Sequence, residues 1–315
     1  MSGILAGADV GGTMLKLALF TEEGELLLKW QVPAPSRDKV SILFALVAGE
    51  FREKAEQYKN AYGPLAAAGI NLPGPVQTDG YLSKCVNLGL EGCYPAKELE
   101  KELGVPCAAA NDANGAALGE ARFGAAKGYD NVVMLTLGTG VGSGVIVNGK
   151  LIAGNRGIGG ELGHLVVRPD DTARCNCGNY GCLELYASAN GNVRVAQEIL
   201  YKHPEVESKL RSIPNFSCRD VFDAAALGDP VGDEALQIFG DTLGLALAHI
   251  SHVIDPDIFV IGGGVSNAGR IVTDLIRRYY RKYMHITDDM PEIVLAALGN
   301  DAGVYGAMSL AKERL

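Results

Sequence analysis

Ile4-Leu5-Ala6-Gly7-Ala8-Asp9-Val10-Gly11-Gly12-Thr13 opens the first half of the chain, and Val132-Val133-Met134-Leu135-Thr136-Leu137-Gly138-Thr139-Gly140-Val141-Gly142-Ser143-Gly144 opens the second. Each is an apolar strand running into a glycine-rich turn. Beyond the first turn, residues 15–20 and 25–31 read as two further strands with Glu23-Gly24 between them. Beyond the second, whose turn is expected over 138–144, residues 145–147 continue as strand and Asn148-Gly149 is a hairpin signal. Both openings lead into alternating helix and strand, which predicts a duplicated α/β architecture rather than one doubly wound sheet.

Val40, Phe44, Val47 and Phe51 recur at helical spacing and predict a helix over 37–62 with Ser36 as its N-cap. A strand over 65–71 is closed by Pro73-Gly74-Pro75, a short helix follows over 96–103, and a strand over 106–110 leads through Asn111-Asp112 into a helix over 113–122. The second half predicts helices over 188–201, 233–254 and 270–283, strands over 257–261 and 292–297, and a last helix over 302–312 that returns to the first half. The 315 residues exceed the usual size of one hydrophobic core, so two domains with a cleft between them are expected. The smaller N-terminal domain is expected over 1–112, joined by the C-terminal helix of 301–315, and the larger one over 113–300.

Apolar residues make up 48% and charged residues 21%, the balance of a soluble globular protein. With 28 Lys and Arg against 37 Asp and Glu the formal charge is -9, which opposes nucleic acid and anionic membranes as partners. No basic region precedes the apolar opening, Asp9 interrupts it too early for a signal peptide, and no apolar run is long enough to span a bilayer. The expectation is a cytoplasmic protein, in which the Asn215-Phe216-Ser217 sequon carries no glycan.

The two glycine turns suit a nucleotide. Bare backbone lets N–H groups approach phosphate oxygens, Thr13 and Thr139 add hydroxyl donors, and Asp9 at the end of its strand could hold Mg2+ through water. A hairpin needs glycine for its own geometry, so either turn alone is weak evidence. Gly262-Gly263-Gly264 would let an adenosine or its phosphates lie on bare backbone; its plain alternative is a strand-to-helix turn. The stretch from Gly144 to Leu151 matches a P-loop only by chance, since Leu151 stands where a Ser or Thr should hold magnesium. The glycines of 138–142 have the wrong spacing for a dinucleotide fingerprint.

Three of the seven cysteines, Cys175, Cys177 and Cys182, crowd into one polar loop. With His164 they supply one imidazole and three thiolates, the ligand set of a closed structural zinc site. Four protein ligands leave no position for an activated water, so the ion would shape a loop and catalysis lies elsewhere. Asp112 follows a strand and opens a helix, which leaves two roles open, helix N-cap or a carboxylate at the ligand-binding end of a strand. Glu161, His164 and Glu184 bracket the cysteine loop and offer the carboxylates and imidazole that a ring of sugar hydroxyls needs. Zinc on one ring nitrogen of His164 would leave the other for a hydroxyl.

Asp9-Val10-Gly11-Gly12-Thr13, Asn71-Leu72-Pro73-Gly74-Pro75, Asn111-Asp112-Ala113-Asn114, Leu137-Gly138-Thr139-Gly140-Val141-Gly142, Gly160-Glu161-Leu162-Gly163-His164 and the run from Cys175 to Glu184 occur in that order. Together they resemble the ROK family of sugar kinases and repressors, most closely its bacterial glucokinases, over essentially the whole chain. The resemblance implies an actin-like (ribonuclease H-like) α/β fold of two domains, ATP with Mg2+ in the interdomain cleft, structural Zn2+, and a homodimer or higher homo-oligomer. By the same resemblance Asp112 is the catalytic base. Gly74, Asn111, Glu161, His164 and Glu184 are the hexose contacts, and Asp9, Gly11, Gly12, Thr13, Thr139, Gly140 and Gly263 face the nucleotide. The implied reaction moves the γ-phosphate of ATP to glucose, giving glucose 6-phosphate. N-acetylglucosamine, N-acetylmannosamine or another hexose is the alternative acceptor, and a sugar-binding regulatory protein without turnover is the alternative class. Family repressors carry a DNA-binding region ahead of the Asp-x-Gly-Gly-Thr turn, and eight residues before Asp9 are too few for a helix-turn-helix. Asn190-Gly191-Asn192 departs from the Thr-Gly pair of related glucokinases and leaves the acceptor open.

Overall fold

The computed structural model describes residues 3–315, apart from the side chains of Asp38 and Lys39. The chain divides into two compact units. The first holds the described chain up to Gly128 together with Gly144–Gly160 and Ala297–Leu315, and the second holds Tyr129–Ser143 and Glu161–Ala296.

Strands β1 (Ile4–Val10), β2 (Met14–Phe20) and β3 (Leu26–Pro33) form an antiparallel meander. After them come helix α1 (Leu43–Glu56), the single turn α2 (Lys59–Tyr62), strand β4 (Leu65–Leu72) and a small hairpin of β5 (Leu82–Cys85) and β6 (Leu90–Cys93). Helix α3 (Pro95–Leu103), strand β7 (Cys107–Asn111) and helix α4 (Asp112–Phe123) follow. β4 and β7 extend the meander in parallel, giving the sheet order β3-β2-β1-β4-β7. The pattern then repeats with β8 (Val132–Leu137), β9 (Val141–Val147) and β10 (Lys150–Leu151). Helices α5 (Glu184–Ala187), α6 (Ala189–Lys202), α7 (Cys218–Ala226) and α8 (Pro230–Ile254) precede strand β11 (Ile258–Gly262), helix α9 (Arg270–Tyr283) and strand β12 (Glu292–Leu295). This second sheet has the order β10-β9-β8-β11-β12, so meander and parallel extension occur twice, as the sequence predicts.

The apolar run of β1 from Ile4 to Ala8 is explained by cover on both faces of its sheet. Ile4, Ala6, Ala8 and Val10 join the core built with α1, while Leu5 packs with Phe20, Ala67, Val304 and Met308. The last two belong to the final helix, α10 (Ala302–Lys312). Gly7 and Gly69 are register partners on β1 and β4. A β-carbon on Gly7 would strike the Val304 carbonyl, and one on Gly69 the Ala307 carbonyl, so the backbone of α10 rides directly on the sheet. Its Gly306 meets Gly115 of α4 in the same way.

Two expectations change. The helix expected over 37–62 is a 3-10 segment, Arg37–Ile42, followed by α1 and α2. Ser36 makes no side-chain cap, and at Gln57 and Tyr58 the N–H groups turn to carbonyls three residues back, which tightens and ends the helix. The turn expected over 138–144 is shorter, because β9 already begins at Val141. Gly144, inside β9, is needed where a β-carbon would strike Ala117 of α4. Asn148 and Gly149 take φ of 51° and 72°, the left-handed pair that a two-residue hairpin requires.

Helix α8 starts on a buried cap. Asp229 Oδ1 accepts from the N–H groups of Val231 (3.0 Å) and Gly232 (3.1 Å) and from the Ser208 hydroxyl (2.9 Å), and Oδ2 from the Lys209 N–H (2.7 Å). Burial alone would raise this carboxyl, but the donors outweigh it and hold it below the usual carboxylate range.

Two measurements check these features. Gly69→Ala should destabilise the protein by about 3 kcal/mol or more by forcing α10 off the sheet; a urea midpoint unchanged from the parent would contradict the close approach. Asp229→Asn should cost about 1–2 kcal/mol at pH 7. Because the folded carboxyl is depressed, its stabilisation exists above the unfolded Asp pKa of about 3.9 and fades as pH falls through the lower folded value. Denaturation midpoints of parent and variant should therefore converge in acid.

Candidate active site and metal centre

In the first unit, the carboxyl ends of β1, β4 and β7 place Asp9, Asn71 and Asn111-Asp112 near one another, with Asp9 opposite Asn71 and Leu72 opposite Asn111 in register. The β1–β2 turn carries Gly11, Gly12 and Thr13, with the Gly11 N–H donating to the Met14 carbonyl at 3.0 Å. Gly12 and Thr13 are exposed. Burial raises the Asp9 carboxyl above the usual range, and the Lys16 ammonium at 3.4 Å opposes this. Gly303 of α10 abuts the Asp9 carboxylate so closely that a β-carbon there would overlap it.

Asn111, not Asp112, is the N-cap of α4. Its Oδ1 accepts from the N–H groups of Ala113 (2.9 Å) and Asn114 (3.2 Å), and its Nδ2 donates to the Gly74 carbonyl at 3.3 Å. The sequence-expected pair Asn111 and Gly74 is thus brought together, by a direct hydrogen bond. Asp112 is the first helical residue, half-buried, with Oδ1 accepting from the Ala113 N–H at 2.8 Å.

In the second unit one carboxylate links the glycine turn to the cysteine loop. Glu184 Oε2 accepts from the Val141 N–H at 3.0 Å, beside Gly140, where a β-carbon would overlap it. Glu184 Oε1 lies 3.9 Å from the Cys175 thiol. Thr139 sits in the turn between β8 and β9. Glu161 is exposed, yet the protein around its carboxyl partly desolvates it and raises its pKa; the nearby His164 ring opposes this and Glu184 adds to it. Gly263 follows β11 with φ of 82° and packs against the Leu137 backbone, a conformation and contact that demand glycine whatever it binds.

The ligand atoms of His164, Cys175, Cys177 and Cys182 lie within 4.8 Å of one another. His164 Nδ1 is 3.6 Å from Cys175 Sγ, and Cys177 Sγ is 3.6 Å from Cys182 Sγ. A tetrahedral ion about 2.3 Å from sulfur and about 2.0–2.1 Å from nitrogen sets its ligands about 3.5–3.8 Å apart. The donor set and spacing therefore fit such an ion, bound through Nδ1 and leaving Nε2 of His164 to other partners. Burial and the neighbouring thiols raise Cys182, whereas at Cys177 burial is outweighed by the Asn179 backbone N–H and the other two thiols, which lower it.

Sequence reasoning assigned no role to Lys16 or Asn71. A hairpin centred on Gly12-Thr13 puts Lys16 opposite Asp9, so the register carried that signal. Asn71 is fully buried, donates from Nδ2 to the Gly303 carbonyl at 2.7 Å, and packs on Gly115. No local pattern announces it.

A profile of the ROK family matches residues 5–314. The chain is 37% identical over 313 residues to the glucokinase of Halalkalibacterium halodurans, covering 98% of this chain and 94% of that protein. It is 32% identical over 315 residues to the N-acetyl-D-glucosamine kinase of Haemophilus influenzae, covering 96% and 98%. Among solved structures, the ROK family glucokinase from Streptomyces griseus in complex with glucose and AMPPNP is 31% identical, with a TM-score of 0.74 and coverage of 99% of this chain and 100% of that one. Such a match, over two repeated sheets of the actin-like ATPase fold, leaves one assignment: the chain belongs to the ROK family.

Proposed function

We propose that this chain is an ATP-dependent hexose kinase whose acceptor is glucose and whose general base is Asp112. The observation that carries the choice of base is that Asn111 caps α4, so the helix does not need Asp112 for that purpose. The carboxylate accepts the proton of the attacking hydroxyl while that oxygen bonds to the γ-phosphorus and the bond to ADP breaks. Mg2+, held near Asp9 through water, would neutralise phosphate charge. Gly11, Gly12, Thr13, Thr139, Gly140 and Gly263 are assigned to the nucleotide, and Gly74, Asn111, Glu161, His164 and Glu184 to the sugar. Asn111 already spends its amide on α4 and Gly74, so its part in sugar recognition is to hold the Gly74 backbone as much as to touch a hydroxyl.

His164, Cys175, Cys177 and Cys182 are proposed as a structural zinc site. Support comes from the spacing of the four ligand atoms and from Glu184, which lies two residues past the last ligand and meets the β8–β9 turn. A homo-oligomeric state and a cytoplasmic location belong to the same proposal; among the described residues no helix is long and apolar enough to cross a membrane. An N-acetylhexosamine kinase is the second reading, favoured by the 32% identity to the Haemophilus influenzae enzyme.

Asp112→Asn should lower kcat roughly 10²–10⁴-fold with glucose still bound. Near-normal turnover would remove Asp112 from the chemistry. ADP release measured across glucose, N-acetylglucosamine, N-acetylmannosamine and other hexoses ranks the acceptors, and silence on all of them would favour a sugar-binding regulator. Elemental analysis should find about one zinc per chain, and Cys182→Ser should lose the metal and lower Tm together. Full activity in a metal-free preparation would refute the structural role.

A further inference from the structure

His164 and Cys175 are eleven residues apart, and the arm of chain between them has to bring both to one point. One limb of the arm is laddered to the cysteine loop. The Gly181 carbonyl accepts from the N–H groups of Val167 (2.9 Å) and Arg168 (3.2 Å), and the Leu165 carbonyl from that of Leu183 (2.8 Å). The corner beyond this limb exposes Pro169, Asp170 and Thr172. Asp171 ties that corner down: its Oδ1 accepts from the Ala173 N–H at 2.9 Å and its Oδ2 from the Tyr186 hydroxyl. Tyr186 lies on α5, two residues past Glu184, and is 3% exposed. The guanidinium groups of Arg168 and Arg194 sit over its ring, 5.5 and 5.3 Å from the centroid, and Arg194 Nη2 donates to the Leu185 carbonyl at 3.1 Å. Burial raises the Asp171 carboxyl, but the Tyr186 hydroxyl, the Ala173 N–H and Arg194 outweigh it and hold it below the usual range.

We propose that Asp171 and Tyr186 are a positioning pair for the metal centre, latching the arm between His164 and Cys175 to the helical turn that bears Glu184. Neither residue is one of the four ligands. The pair acts through the backbone, fixing the corner of the arm so that His164 at one end and Cys175 at the other keep their spacing. A corner left loose would have to be ordered by the ion as it binds, and that entropy would be subtracted from its affinity. The ring of Tyr186, buried under two guanidinium groups, is a fixed anchor for this purpose, and its hydroxyl has Asp171 as its partner. Because Tyr186 shares α5 with Glu184, the same latch joins the order of the arm to the carboxylate that meets the Val141 N–H. The inference rests on the zinc reading and adds two residues that the reading does not use.

Zinc affinity of the full chain, measured by competition with a chromogenic chelator at a temperature where every variant is folded, tests the pair. The series is the parent, Tyr186→Phe, Asp171→Ala and the double variant, with Asp229→Asn as a control that loses stability far from the cysteine loop in sequence. Tyr186→Phe keeps the ring and removes only the hydroxyl, and should weaken zinc binding about tenfold. Asp171→Ala should lose at least as much, the double variant no more than Asp171→Ala, and Asp229→Asn nothing. Zinc affinity of Tyr186→Phe within about twofold of the parent would overturn the proposal. So would losses that add in full in the double variant, or an equal loss in Asp229→Asn, the mark of a general loss of stability. Should Asp171→Ala fail to fold, Tyr186→Phe against the parent and the control still decides. A parent chain that binds no zinc would instead overturn the zinc reading itself.

Discussion

The first unit depends on a helix backbone lying against a sheet backbone. Gly7 and Gly69, paired across β1 and β4, remove the side chains that would otherwise hold α10 at the usual distance. This close seating fixes positions. With α10 that low, Gly303 reaches the Asp9 carboxylate, Asn71 reaches the Gly303 carbonyl, and Gly306 reaches Gly115 on the helix that begins at Asp112. Two carboxylates, Asp9 on β1 and Asp112 at the start of α4, are thereby referred to one rigid body. Glu120, fully buried near the far end of α4, adds a polar tie, accepting from the N–H groups of Ala125, Ala297 and Leu298. Packing density, more than any single hydrogen bond, sets where these carboxylates stand.

The second unit solves a different problem. The cysteine loop is polar and short of apolar residues, so it has little to bury. Its order is instead referred to Glu184, whose two oxygens face the Val141 N–H and the Cys175 thiol. One side chain thus connects the β8–β9 turn to the cluster of His164 and the three cysteines.

Strands with simple burial were legible in the sequence. β8, α9 and α10 fall where periodicity put them, and the repeated meander was visible as two apolar runs ending in glycine. Losses occurred where tertiary contacts override local pattern. Val141 reads as part of a glycine turn, but its N–H is claimed by Glu184 from far along the chain, and strand begins there. Helix α7 announces itself through the Ser217 and Asp220 capping box, a pattern obscured by reading Ser217 as the end of a sequon. At the candidate site, sequence could offer Asp112 as cap or base with equal force; the geometry of Asn111 takes the cap role from Asp112. Lys16 was recoverable from hairpin register, whereas Asn71 was not, because its partners lie on α4 and α10.

The place of α10 in the chain also sets an order of events during synthesis. β1, β4 and α4 leave the ribosome early, but the face bearing Leu5, Phe20 and Ala67 stays uncovered until Val304, Met308 and Ala311 are made. Tyr129–Ser143 and Glu161–Ala296 are translated between those moments, so the second unit can assemble while the first still waits for its last helix. Nascent chains stalled before residue 302 carry a finished sheet edge to edge but an open apolar face, and are the species that chaperones would be expected to hold.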